Sequence, residues 1–261
     1  AHPLEIYNQL LKIYKPNAVP VKPGRGLWKL VMDDCVAADY LLVNSDYVKK
    51  SFIQHGFKKE SIFVIPLGIR KDFFSLKSNY EMKRKFKFLY TGVLNKWKGI
   101  DLIIETAELL YAKNISFEFH LIGSISRELT VPGNLVEAGF IKLHGHVPQD
   151  KLKSFLKDSD IYVFPSYCEG SSQALKEAMS AGMPVIATEQ SGAPIIDGVN
   201  GLIIEDDSSA SIYEVLIRLI EDESLREMIG LNAASTIKNE HTWDIYGKNV
   251  DLLYKNIANN V

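Results

Sequence analysis

Ile161-Tyr162-Val163-Phe164-Pro165-Ser166-Tyr167-Cys168-Glu169-Gly170-Ser171-Ser172-Gln173-Ala174-Leu175-Lys176-Glu177-Ala178 runs from a short apolar segment, through a turn of small residues, into an amphipathic one. The apolar run stops at Pro165 and reads as a buried strand; the segment over 172–181 reads as a helix. A buried strand that turns directly into a helix is the repeating unit of a parallel α/β sheet. Free backbone N–H groups and the positive end of the helix dipole meet at such a turn, which suits a phosphate. Glu169 falls at the mouth of this turn, and Glu177 about one and a half turns into the helix. A carboxylate accepts from two adjacent hydroxyls, as in a ribose diol. The spacing therefore suits two grips on one extended ligand better than an acid/base pair. The plain alternative is a loop charge and a solvated helix residue.

Outward from this turn the alternation continues. Strands are expected over 86–91, 117–122, 141–143, 161–165, 185–187 and 201–204. Helices are expected over 100–113, 149–157, 172–181, 208–221, 224–238 and 242–257. Strand–helix alternation means a parallel sheet with helices on both faces. Upstream, helices are expected over 4–14, 27–38 and 45–56, the last capped by Ser45-Asp46, with strands over 40–43 and 62–65. Pro16, Pro20, Pro23, Gly24 and Gly26 make 16–26 a loop. The charged stretch 69–85, with Lys77, Lys83, Arg84 and Lys85, reads as a linker. The expected organisation is 1–68 as part of a second α/β domain, 69–85 as linker, 86–240 as a Rossmann-like domain, and 241–261 as a closing helix. Two parallel strands make a poor domain alone, so 40–65 should carry an open apolar edge. The sequence opens at Ala1 directly on an amphipathic segment and is expected to be a piece of a longer chain.

A second turn follows the strand at 86–91 and reads Gly92-Val93-Leu94-Asn95-Lys96-Trp97-Lys98-Gly99. Gly92 permits close backbone approach, and Lys98 stands just before a helix, where an ammonium can meet a diphosphate.

Bulk properties narrow the function. The 261 residues are 46% hydrophobic and 24% charged with net charge −2, so no global field recruits nucleic acid. The two cysteines, Cys35 and Cys168, supply no disulfide framework, and a reducing cytoplasm is the default compartment. No apolar run approaches the roughly 20 residues that cross a bilayer, and no leader pattern is visible. Lys49-Lys50, Lys58-Lys59 and Lys83-Arg84-Lys85 read as solvated faces, with peripheral contact to an anionic membrane as the alternative. Asn114-Ile115-Ser116 matches a glycosylation acceptor that a cytoplasmic chain does not use. Asp158-Ser159-Asp160 matches a metal-binding string, but it precedes a strand instead of following one, so no metal site is expected.

The turns taken together resemble a known family. Lys98-Gly99, Leu121-Ile122-Gly123, Gly145-His146-Val147-Pro148, Asp160 to Ser166, Glu169-Gly170-x6-Glu177-Ala178-Met179-Ser180-Ala181-Gly182-Met183-Pro184 and Asp197-Gly198-x2-Gly201 are similar to glycosyltransferase family 4, over roughly residues 40–257. The resemblance implies a GT-B fold: the C-terminal nucleotide-sugar-binding domain and the tail of the N-terminal one. It implies that Glu169 holds donor-sugar hydroxyls, that the amides of Gly170, Ser171, Ser172 and Gln173 face sugar and diphosphate, and that Glu177 binds the ribose diol. It further implies that Lys98 neutralises the leaving diphosphate, that the backbone at His146 and Val147 meets the base edge, and that Gly123 leaves room beside it. The family usually has an arginine where Val93 stands; Lys96 is expected to supply that charge. His2-Pro3 is similar to a His-Pro near the sugar in one branch, which would place His2 at the reaction centre.

The activity implied is retaining transfer from a UDP- or GDP-sugar to a glycan or lipid-linked acceptor, without cofactor or metal. A helix N-terminus and a lysine stabilise the leaving diphosphate. Two alternatives stay open: a non-catalytic nucleotide-sugar-binding module that requires a further domain or partner chain, and a GT-B sugar-nucleotide epimerase.

Overall fold

Strands that are apolar on both faces need cover on both sides. The computed structural model, which describes residues 1–17, 26–74, 77–81, 85–205 and 207–259, meets that need with a doubly wound sheet. Its strands are β3 (Phe86–Thr91), β4 (Phe117–Ile122), β5 (Ile141–Leu143), β6 (Ile161–Phe164), β7 (Val185–Ala187) and β8 (Leu202–Ile203). All pair in parallel, in the order β5-β4-β3-β6-β7-β8. The helices α4 (Ile100–Ala112), α5 (Gly133–Glu137), α6 (Gln149–Asp158), α7 (Gln173–Ser180), α8 (Ser209–Glu221) and α9 (Glu223–Glu240) connect or follow them. One continuous core fills this unit; Tyr90, Tyr162, Phe73, Phe88, Phe117 and Phe119 are its largest fully buried rings.

The first part of the chain forms α1 (Pro3–Tyr14), α2 (Leu27–Ala37), β1 (Leu41–Val43), α3 (Asp46–Gln54) and β2 (Ile62–Val64). β1 and β2 pair in parallel as a separate two-stranded sheet around a small core of Val48, Phe52 and Ile62. Tyr40 and Leu42 are each 44% exposed. They line grooves shared with Phe63 and with Leu252, Leu253 and Ile257 of the closing helix α10 (Trp243–Asn259). α10 thus runs beside the small sheet.

Residues 69–81 do not behave as a free tether where they are described. Ile69, Phe73, Lys77 and Tyr80 are buried, and the Lys77 ammonium donates to the Ser159 carbonyl at 2.7 Å. Composition hid this, because a few aromatic anchors among charges suffice to pin a segment. Pro20, Pro23, Gly24, Lys83 and Arg84 lie outside the described residues. The Asp160 carboxylate accepts the Lys87 amide at 2.8 Å where β6 begins, at the sheet end away from the Glu169 turn.

Candidate functional site

The strand order reverses between β3 and β6, since the chain moves out through β4 and β5 and returns to β6. Ligands of open α/β sheets bind where such a reversal opens a crevice at the carboxyl ends of the strands. The two turns singled out from the sequence leave those strand ends and interlock. The Tyr167 amide donates to the Trp97 carbonyl at 3.1 Å, and the Thr91 and Tyr162 hydroxyls meet at 2.7 Å. Gly99 is left-handed (φ 71°), and a Cβ there would strike the Pro165 carbonyl, so only glycine lets the turns close.

Lys98 and Glu169 meet here, while Glu177 lies on α7, where the charges acting on it are those of Arg70 and Asp72. Lys98 ends a short 3-10 turn, Lys96–Lys98, whose Asn95 side chain accepts the Lys98 amide at 2.9 Å. Its ammonium forms an ion pair with the Glu169 carboxylate, both largely buried, while the Ser166 hydroxyl donates to the same carboxylate at 3.4 Å. Burial pushes the Lys98 ammonium below the usual lysine range. Glu177 is half-buried, and its carboxylate has no hydrogen-bond or ion-pair partner among the described residues. Burial raises its carboxyl above the ordinary range, against the pull of Arg70. Lys98 and Glu169, which the sequence assigned to different parts of a ligand, are therefore direct partners of one another.

The α7 turn is tied down more than expected. Ser172 caps the helix, its hydroxyl accepting the Leu175 amide at 3.2 Å. Its own amide donates to the Ser191 carbonyl at 3.0 Å. Ser172 therefore does not present a free amide to a phosphate: the turn after β7 takes it, just as Gln190 takes the Glu169 amide at 2.8 Å. The amides of Gly170, Ser171 and Gln173 have no backbone partner among the described residues. The Gly170 carbonyl accepts the Ser45 hydroxyl at 2.5 Å, so the capping serine of α3 also braces this turn.

Gly92 (φ 143°) and Gly123 (φ 140°) abut, a Cβ on Gly123 colliding with the Gly92 carbonyl. The Gly123 amide donates to the Gly145 carbonyl at 2.8 Å, which leads into exposed His146 and half-buried Val147. Val93 is 45% exposed. Lys96 is exposed, and its field acts on Asp101 and Glu128. His2 makes its contacts with the small unit: its Nδ1 accepts the Leu4 amide at 3.2 Å as a helix cap, and its ring stacks on His55 at 4.1 Å. Burial and His55 hold its pKa down to about 4.

Three residues escaped the sequence reading. Arg70 grips Asp72 with two nitrogens at 3.1 and 2.6 Å and donates to Gln149 at 2.7 Å, and its field reaches Glu177. The only signal was a cation two residues after Pro66-Leu67-Gly68. Lys176 is fully buried and donates to the Leu67 carbonyl at 2.8 Å; burial lowers its pKa to about 8. His241 is 6% exposed, with a buried Nδ1 that has no hydrogen-bond partner among the described residues.

The doubly wound parallel sheet, flanked by helices and reversing its order between β3 and β6, is an α/β fold of the GT-B type. The chain belongs to the family described as glycosyl transferases group 1, which matches residues 72–236. It is 31% identical over 235 residues to an uncharacterised glycosyltransferase of Methanocaldococcus jannaschii, covering 85% of this chain and 59% of that protein. It is 28% identical over 235 residues to the capsular polysaccharide biosynthesis glycosyltransferase CapM of Staphylococcus aureus, covering 84% and 61%. The chain thus spans about three fifths of these relatives' length. In fold it is similar to sucrose-phosphate synthase of Thermosynechococcus elongatus (TM-score 0.75, 18% identity, 100% of this chain and 67% of that one). It is also similar to HepE of Anabaena, in complex with UDP and glucose (TM-score 0.69, 19% identity, 84% and 64%). Among the described residues, no helix is long and apolar enough to cross a membrane.

Proposed function

We propose that this chain forms the donor side of a retaining, metal-independent glycosyltransferase that moves a sugar from a UDP- or GDP-sugar to a glycan or lipid-linked acceptor. The observation that carries the reading is Glu177: half-buried and unpartnered, on the helix that follows the Lys98–Glu169 pair at the strand-order reversal. A carboxylate kept in that state gains by accepting two hydroxyls, and a ribose supplies them. The diphosphate then draws Lys98 away from Glu169. Lys98 neutralises the charge that develops on the leaving group, and Glu169 is released to hold hydroxyls of the donor sugar. His2 lines the donor's reaction centre in this reading, and His146 and Val147 offer backbone to the base. Work in glycan or polysaccharide biosynthesis is the setting this reading implies, supported by a relative named for capsular polysaccharide biosynthesis, CapM; a place at the cytoplasmic face of a membrane is part of the same proposal.

Titration calorimetry with UDP and GDP on the wild type and Glu177→Ala tests the site. The substitution is expected to weaken the preferred nucleotide about tenfold or more, the range for hydrogen bonds to a charged group. Unchanged affinity would overturn the assignment. A second reading, a nucleotide-sugar-binding module that needs a further domain, is favoured by the two-stranded sheet with exposed Tyr40 and Leu42. It predicts binding without efficient transfer by this chain alone. Turnover matching that of a two-domain enzyme would exclude it.

A further inference from the structure

A chain of four side chains crosses the open edge of the large sheet, away from the Lys98–Glu169 pair. Glu118 and His120 on β4 and Lys142 and His144 on or just after β5 share one face, together with Lys85. The Glu118 carboxylate accepts Lys142 at 2.7 Å and pairs with Lys85 at 3.0 Å. Its other oxygen meets His120 Nε2 at 3.1 Å, and His120 Nδ1 meets His144 Nε2 at 3.0 Å. The two imidazoles lie within 8° of parallel, and Phe155 of α6 packs on both, at 5.6 and 4.6 Å.

Hydrogen-bond chemistry sets the proton positions. Burial acts to raise the Glu118 carboxyl, but Lys142, Lys85 and His120 outweigh it and bring its pKa to about 2. It is therefore an acceptor only. His120 must carry its proton on Nε2, which leaves Nδ1 a lone pair, and His144 must donate to it from Nε2. Burial lowers both pKa values and so favours neutral rings, with Lys142 and Lys87 opposing protonation of His120, and His120, Lys151 and Lys142 opposing that of His144. Glu118 alone favours the charged form of His120.

His144 is the last residue before Gly145, His146 and Val147. Its amide donates to the Leu121 carbonyl at 3.0 Å, and the Gly145 carbonyl accepts the Gly123 amide at 2.8 Å. The backbone of this turn is thus held at β4, and the relay supplies the side-chain anchor. We propose that Glu118, His120 and His144 are positioning residues that fix the turn 144–147 in the geometry with which it meets the nucleotide base. This rests on the reading of that turn as the base-binding edge. The side chains act through backbone geometry and do not touch the donor.

Two substitutions separate hydrogen bonding from packing. His120→Phe keeps a ring against Phe155 and breaks the relay; His120→Gln keeps a donor toward Glu118 and an acceptor toward His144. Calorimetry with UDP and GDP should show affinity reduced about tenfold in His120→Phe and largely restored in His120→Gln, the scale of one or two lost hydrogen bonds. Wild-type affinity in His120→Phe overturns the relay, whatever Glu177→Ala shows, and equal loss in both variants assigns the effect to packing and also overturns it. Weakened binding in Glu177→Ala beside intact binding in His120→Phe keeps the donor site and removes only the relay. Nitrogen-15 spectra of the nucleotide-free protein at neutral pH give a readout that needs no ligand: both imidazoles are expected as the Nε2–H tautomer. An Nδ1–H form of either ring refutes the proposal.

Discussion

At the scale of single residues, Lys98 stands under opposing demands. Its burial disfavours the charge, and Glu169 retains it. Removing the ammonium by Lys98→Ala leaves a largely buried carboxylate unpaired, which destabilises the free protein as well as emptying the phosphate position. UDP affinity is expected to fall about tenfold to a hundredfold, in line with loss of hydrogen bonds to a charged group. Calorimetry beside a denaturation curve separates the two effects; intact affinity in a destabilised variant would take Lys98 out of the phosphate site. Gly123 makes a different residue-scale prediction. With φ at 140° and the Gly92 carbonyl in the place of a Cβ, Gly123→Ala must strain the backbone or part the two turns. A loss of about 1–3 kcal/mol is expected in urea unfolding, and an unshifted midpoint would show that the turns give way freely. Lys176 shows why some residues were illegible. A lysine between Leu175 and Glu177 on an amphipathic helix reads as solvent-facing, and only the packing of the Leu67 segment against α7 reveals that it is buried.

At the scale of elements, the chain was largely legible, because strands buried on both faces and helices with one apolar stripe leave opposite periodicities. β3, β4 and β5 occupy the expected residues, and Ser45 and Ser172 cap α3 and α7. The five-residue α5 and the short 3-10 turns escaped, since so few residues carry no period. The candidate site was legible as two turns, but not as one interlocked structure: the bond from Tyr167 to Trp97 and the loss of the Ser172 amide to Ser191 depend on strand order. Capping gives an element-scale prediction. Ser172→Ala removes the acceptor for the Leu175 amide and should lower stability by about 1 kcal/mol. Because the Ser172 amide is already committed to Ser191, nucleotide affinity should change little beside that of Glu177→Ala. A large loss of binding with no loss of stability would mean that the hydroxyl itself serves the ligand.

At the scale of the whole molecule, the two sheets meet at a strap, Pro66 to Ile69, that passes between α7 and the junction of α9 with α10. Lys176 holds the Leu67 carbonyl at 2.8 Å, and the Ile69 amide donates to the His241 carbonyl at 2.8 Å. A Cβ on Gly68 would collide with the Trp243 amide, so the strap lies flat on this junction. The Lys176 ammonium and the His241 ring are both buried beside it, and each pays for its place in a way that pH can read. Burial, and secondarily the field of Lys176, lowers His241 from 6.5 to about 4. The unfolded chain takes up this proton near pH 6.5 and the folded protein does not until about pH 4. The contribution is therefore fully present above pH 6.5 and is lost as pH falls from 6.5 to 4. Lys176, lowered from 10.5 to about 8, acts in the same direction at the other end: folding gains as pH rises from 8 to 10.5. Urea midpoints measured across pH should show His241→Phe with a flatter acid limb than the wild type between pH 6.5 and 4. Lys176→Met should lack the gain above pH 8. Curves for wild type and His241→Phe that run parallel through the acid range would mean that His241 titrates alike in both states, and that the strap is not held against a neutral ring.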